Sequence, residues 1–141
     1  MEIRGQCLCG AVRYRSTAAP ITTRACWCRL CQYLGAGSGT VNVCFPADAV
    51  TIEGHTTLHE TTADSGNRML RRFCPTCGTP MFSAAAARPH LIFVRAGTLD
   101  DPELARPAIT IWTAAAPSWA CIDPAVPRDP GQPPPAAPAS R

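Results

Sequence analysis

Apolar and polar residues alternate along much of this chain with the period of two that a strand imposes, and a helical period with a cap is nowhere evident. Ala11-Val12-Arg13-Tyr14-Arg15 alternates in this way, and Thr40-Val41-Asn42-Val43-Cys44-Phe45 does so until Pro46 stops it. Val50-Thr51-Ile52 and the stretch 56–62 carry the β-branched residues of exposed-face strands. Met69 to Phe73 reads as a strand feeding a cysteine pair, Leu91-Ile92-Phe93-Val94 as a buried strand, and Ala108 to Trp112 as one more. Asp101-Pro102-Glu103-Leu104 can start a single turn, with proline at its first position, before Pro107 ends it. Ser83 to Ala87 is alanine-rich but too short to nucleate a helix alone, and it reads as a loop. The pattern predicts an all-β domain of short strands.

Composition sets the limits of that domain. With 141 residues, 46% hydrophobic and 16% charged, the chain suits one domain with a modest core. From Asp123 the character changes: Pro124 to Arg141 holds seven of the fifteen prolines and almost no large apolar residue. Such a stretch buries too little surface to offset its ordering entropy. Residues 1–123 are therefore read as the domain, and 124–141 as a mobile, partly extended tail. No apolar run approaches the ~18 residues that cross a bilayer.

Cysteine placement changes the picture most. Seven of nine fall into three groups: Cys7 with Cys9; Cys26, Cys28 and Cys31; Cys74 with Cys77. Met1-Glu2-Ile3-Arg4-Gly5 leads straight into the first pair and leaves no room for a secretory signal, so a reducing, cytoplasmic setting is expected. Clustered cysteines there point to metal rather than to disulfides. Zinc closes a structural site with four ligands and keeps a corner open when the protein supplies three. Seven thiolates thus fill one closed and one open site, unless Cys44, Cys121 or a histidine adds an eighth.

Local geometry supports metal ligation. Cys74-Pro75-Thr76-Cys77-Gly78 has the form of a zinc knuckle, with proline presetting the turn and glycine releasing the chain. The two C-x-C pairs need bent backbone, because residues two apart on a flat strand hold their side chains about 7 Å apart. Two sulfurs on one zinc lie about 3.8 Å apart, given Zn–S bonds of about 2.3 Å. Local closure can place all three middle cysteines on one metal and leave the outer pairs to each other. A partition joining one outer pair to two middle cysteines stays open on spacing alone.

The formal charge of +3 counts every cysteine as neutral. Four thiolates on one zinc and three on another would bring the holo-protein near zero, since metal-bound thiols are deprotonated. With aromatics at 6%, a nucleic-acid platform of basic groove and stacking rings is not expected.

The motifs Cys7-x-Cys9-Gly10-Ala11-Val12-Arg13-Tyr14, Cys26-x-Cys28-x-x-Cys31, Arg72-Phe73-Cys74-x-x-Cys77-Gly78-Thr79-Pro80 and Gly97-Thr98-Leu99-Asp100-Asp101-Pro102 stand here in one order. In that order the chain resembles the glutathione-dependent formaldehyde-activating enzyme family, which also contains centromere protein V. Ile111-Trp112 and Pro117-Ser118-Trp119 agree as well, so the resemblance covers about residues 1 to 127. It implies an all-β fold of the β-tent type, with short antiparallel strands and zinc-holding hairpins. It also implies two zincs per chain: a structural one on Cys7, Cys9, Cys74 and Cys77, and a catalytic one on Cys26, Cys28 and Cys31. The implied activity is that of a carbon–sulfur lyase, joining glutathione and formaldehyde as S-hydroxymethylglutathione. Fold alone does not assign a substrate.

The residues agree with a thiol substrate. Coordination to zinc deprotonates a thiol at neutral pH, so an open corner can present a thiolate to an aldehyde. Arg24 and Arg29 flank the middle cluster and could steer an anionic tripeptide or be ordinary surface arginines. Trp27 could shape a pocket or cover the metal. His55, His59 and His90 lack ligand spacing, and Cys44 reads as a small buried hydrophobe. Arg68 and Arg72 share one strand face and Arg71 takes the other, so they form no continuous nucleic-acid stripe. The competing reading is a zinc-stabilised binding module for protein or nucleic acid, in which both metals are structural.

Overall fold

The computed structural model describes residues 2–135. Strands dominate it: β1 (Ile3–Gln6), β2 (Arg13–Ser16), β3 (Thr22–Cys26), β4 (Thr40–Pro46), β5 (Val50–Glu53), β6 (Thr57–Thr62), β7 (Arg68–Phe73), β8 (Pro80–Ala85), β9 (Leu91–Arg95) and β10 (Ile109–Ile111). They form a three-stranded sheet, β1-β2-β5, and a seven-stranded sheet, β10-β3-β4-β9-β8-β7-β6. Neighbours run antiparallel except β10, which lies parallel to β3. The all-β expectation therefore stands.

The apolar run of β4 is buried along most of its length because β3 and β9 flank it on both sides. Its Val43 and Phe45 share one core with Phe82 of β8, Val94 of β9, Ile3 of β1 and Tyr14 of β2, which joins the two sheets. The Tyr14 ring meets Phe82 edge-on at 5.3 Å between centroids. Its hydroxyl donates to Thr98 Oγ1 at 2.7 Å, and that hydroxyl in turn donates to the Arg95 carbonyl. Burial of a polar tip is thereby satisfied.

Strand register then dictates the other face of the large sheet. Arg24 pairs with Asn42 and Asn42 with Arg95, while Phe93 pairs with Ser83 and Ser83 with Arg71. Since side chains alternate along a strand, these residues lie opposite Val43, Val94 and Phe82. One face of the sheet is core, and the other carries arginines.

Two expectations need correction. A helix, α1 (Arg29–Leu34), follows β3. Its six residues are too few to display a period, and its cap is a sulfur: Cys28 Sγ accepts from the Cys31 N–H at 3.4 Å. Ser83 to Ala85 is not loop but part of β8, where pairing with β7 and β9 on either side outweighs alanine's weak strand propensity. The proline-rich segment is hydrogen-bonded as far as it is described. Asp129 N donates to Thr110 O at 2.9 Å, Thr110 N to Pro127 O at 2.9 Å and Trp112 N to Gly131 O at 3.2 Å, so it runs beside β10. An open strand edge supplies partners that composition does not reveal. Residues 136–141 of the expected tail lie outside the described residues. The turn expected at 101–104 is present as a 3-10 turn, Pro102–Ala105, capped by Asp101.

Candidate metal centres

The link from β1 to β2 and the turn after β7 meet at one end of the molecule, and there the sulfurs of Cys7, Cys9, Cys74 and Cys77 lie within 4.8 Å of one another. Cys7 and Cys9 are on a turn, not on a flat strand, and their Sγ atoms are 3.6 Å apart. Cys9 and Cys74 sulfurs are 3.8 Å apart. These separations fit two ligands of one tetrahedral zinc. Backbone N–H groups already point at the sulfurs: Val12 N donates to Cys7 Sγ at 3.3 Å, and Cys77 N to Cys74 Sγ at 3.5 Å. Gly10 and Gly78 take φ of +79° and +77°, the left-handed turns that let both chains leave the site. Thr79 ties the halves together, its Oγ1 accepting from Leu8 N at 3.2 Å and lying 3.0 Å from Cys77 Sγ. That hydroxyl and the Thr79 backbone hold the Cys77 thiol down to about 5.

The second group forms where β3 passes into α1. Cys26 ends the strand, Cys28 caps the helix, and Cys31 lies in its first turn; all three are buried with sulfurs within 4.8 Å of one another. The connection is held from outside. Trp27 N donates to Ile111 O at 3.1 Å, and Gln32 Nε2 donates to the carbonyls of Trp27 and Ala115 at 2.8 and 3.0 Å. Hydrogen bonds from Cys26 and Cys28 hold the Cys31 thiol down, while the bonds Cys26 makes to Cys28 and Cys31 push its own thiol up. Three sulfurs this close and this buried cannot all ionise by themselves. A divalent cation removes that conflict, so the donor set fits zinc.

Among the described residues no fourth cysteine, histidine or carboxylate joins the trio. Cys44 is fully buried, and burial pushes its thiol up to about 11. Cys121, His55, His59 and His90 are exposed.

A cavity opens beside the three cysteines. Its floor is the arginine-bearing face of the large sheet, including Arg24, Asn42, Arg71 and Arg95. Arg88, from the β8–β9 turn, is on its wall. The tip of the β6–β7 hairpin reaches back to the cluster, with Asp64 Oδ2 accepting from Arg29 N at 3.1 Å. Gln132 and Pro135 of the C-terminal segment complete one side. Burial pulls the Arg95 and Arg24 guanidiniums down from their ordinary values, opposed at Arg95 by the nearby Cys31 and at Arg24 by Cys44.

Of the two flanking arginines, only Arg24 lines this cavity. Arg29 is exposed, bonded to Gln32 and stacked over Tyr33 at 5.2 Å. Trp27 is buried against Gly39 and faces a different hollow. Arg71, Arg88 and Arg95 were not singled out as site residues. The available signal was alternation, which sets buried Arg71 opposite exposed Arg68 and Arg72.

A family model described as "Glutathione-dependent formaldehyde-activating enzyme" matches residues 2–115. A Halomonas elongata protein provisionally named as a glutathione-dependent formaldehyde-activating enzyme is 28% identical over 130 residues, covering 87% of this chain and 82% of its own. A crystal structure of a Rhodobacter sphaeroides protein superposes with a TM-score of 0.57 at 21% identity, over 74% of this chain and 96% of that one. That last likeness concerns the fold alone.

Proposed function

Because this chain belongs to the glutathione-dependent formaldehyde-activating enzyme family, we propose that it is a zinc-dependent carbon–sulfur lyase joining glutathione and formaldehyde as S-hydroxymethylglutathione. One observation carries this reading: three buried cysteine sulfurs, with no fourth protein ligand among the described residues, border an arginine-lined cavity. A binding module with two closed structural metals would have no use for that arrangement.

Cys7, Cys9, Cys74 and Cys77 would hold the structural zinc, and Cys26, Cys28 and Cys31 the catalytic one. Zinc on the three cysteines supplies acidification of a substrate thiol, whose ordinary pKa is near 8.5. Three anionic ligands suit that centre to delivering sulfur rather than to polarising a carbonyl oxygen. The thiol sulfur adds to the formaldehyde carbon, forming the C–S bond. The carbonyl π pair moves to oxygen, which takes up the proton the thiol gave up, so no electrons enter or leave. The Gln32 bonds hold the Cys26–Cys31 turn in place. Nine free cysteines fit a reducing cytoplasm. No helix among the described residues is long and apolar enough to cross a membrane.

Adduct formation is followed by NMR with labelled formaldehyde and glutathione. The zinc-loaded protein should accelerate formation of the hydroxymethyl adduct, and Cys28→Ala should not. Equal rates for both would remove the formaldehyde reaction.

A further inference from the structure

Trp112 is bulky, yet its backbone is left-handed, with φ +57° and ψ +35°. That conformation is uncommon for residues other than glycine, and a large side chain keeps it only where its surroundings impose it. The bend lies beside the three-cysteine cluster. Ile111, just before it, pairs with Cys26, and the 3-10 turn just after it, Thr113–Ala115, is the one whose Ala115 carbonyl accepts from Gln32. The half-buried indole packs against the group of Cys26, Cys28, Cys31 and Ile111 and lines the cavity.

The C-terminal segment supplies the partners that hold this bend. Three successive N–H groups, those of Trp112, Thr113 and Ala114, donate to the carbonyls of Gly131, Asp129 and Pro130 at 3.2, 3.2 and 3.3 Å. Thr110 anchors the segment ahead of this point, donating to Pro127 and accepting from Asp129 at 2.9 Å each. The segment is also turned on itself, with Asp129 Oδ1 accepting from Gly131 N at 2.9 Å. The side chain is held as well, since the Trp112 indole N–H donates to Gln132 Oε1 at 2.8 Å. Two residues on, the Pro134 carbonyl accepts from Arg24 Nη2 at 3.1 Å, which carries the segment from β10 across to a cavity-lining residue of β3.

All of these acceptors lie beyond residue 115, where the family match ends. The left-handed tryptophan at the cysteine cluster is thus held by a part of this chain that the family match leaves out. Glutamine suits the position, because its amide oxygen accepts from an indole N–H without adding charge to the cavity.

We infer that residues 127–134 act as a strap that holds Trp112 as a fixed wall of the cavity and so limits access to Cys26, Cys28 and Cys31, with Gln132 the positioning residue that acts through the indole. Backbone pairing settles where residue 112 lies, and the Gln132 bond settles where its ring stands. A bulky reagent reaches the cysteines only when the ring swings away, which is a local opening rather than unfolding of the domain. Only the strap's bearing on turnover rests on the proposed function; the access it controls is measured without it.

Labelling of the zinc-loaded full chain with fluorescein maleimide and with iodoacetamide, mapped by mass spectrometry of its peptides, reads access cysteine by cysteine. Gln132→Ala removes one hydrogen bond of ordinary strength, so labelling of Cys26, Cys28 and Cys31 by the bulky maleimide should rise about fivefold with the ring-open population. Iodoacetamide needs a smaller opening and should gain less. Cys7, Cys9, Cys74 and Cys77 should label as in the wild type. Gln132→Glu restores an acceptor for the indole and should return the maleimide rate to that of the wild type. Acrylamide quenching of the Trp112 emission, taken as the difference from Trp112→Phe, should rise in Gln132→Ala and not in Gln132→Glu. Unchanged labelling and quenching in Gln132→Ala overturns the inference, and so does an equal rise at both cysteine groups, which is general loosening. A wild-type chain that forms no hydroxymethyl adduct but gives this labelling pattern keeps the strap and loses the proposed function. An active chain without the pattern does the reverse.

Discussion

Cys9 and Cys74 stand 65 positions apart in the chain and hold their sulfurs 3.8 Å from each other. That approach adds to the shared core in fastening the small sheet to the large one, because Cys9 lies between β1 and β2 while Cys74 directly follows β7. A structural zinc in such a place contributes on the order of 10 kcal/mol to folding, as much as the whole stability of a small domain. Cys77→Ser is expected to give insoluble or unfolded protein. Circular dichroism and thermal melting check this; a soluble variant with the wild-type melting temperature would refute the structural assignment.

The middle group should answer differently. Cys26, Cys28 and Cys31 lie along one short segment, and the core of Val43, Phe45, Phe82 and Val94 does not include them. Cys28→Ala should lower bound zinc from about two to about one per chain while the domain stays folded, given one closed and one open site. Elemental analysis of the folded variant is the check, and two zincs retained would mean that the ligands are divided otherwise.

Thr79 gives a subtler test of the four-cysteine site. Its hydroxyl contacts both halves, through Leu8 N and Cys77 Sγ. Partners that orient metal ligands are worth about 10- to 100-fold in affinity. Thr79→Val should therefore release one zinc at a lower chelator concentration, by a factor in that range, and leave the other unchanged. Competition with a colorimetric chelator measures both.

The cysteine groups were legible because ligand spacing is a local property: knuckle, turn and glycine are written within a few residues. Strands such as β4 and β9 were legible for the same reason, through a short apolar run and its stop. β3 was not, since Thr22–Cys26 shows neither a clean alternation nor an apolar run, and its place is set by β4 on one side and β10 on the other. Arg71 and Arg95 belong to strands that were read correctly, yet nothing local says that β8 lies between β7 and β9 and turns both arginines into one cavity. Composition does not reveal the hydrogen bonds that part of the segment 124–135 makes beside β10, because backbone pairing needs no apolar side chains.

Gly5 tests how closely β1 packs against the Tyr14 hydroxyl and the turn that follows β9. A Cβ there would overlap the Tyr14 hydroxyl and the Thr98 carbonyl, and one of those is backbone. Gly5→Ala should destabilise the protein by about 1–3 kcal/mol, the usual cost of overpacking. Denaturant titration should show a lower midpoint with an unchanged slope; an unaltered midpoint would mean that the contact is loose.

The central claim is that the Cys26, Cys28 and Cys31 centre takes a substrate thiol as its fourth ligand. Visible absorption of the cobalt-substituted protein reads that position directly, since ligand-field bands respond to a new sulfur. Glutathione should change the spectrum, and S-methylglutathione, which has no thiolate to offer, should leave it as it was. The same spectrum with both peptides, or no response to either at millimolar concentration, would contradict the claim and leave a centre that holds metal without holding substrate.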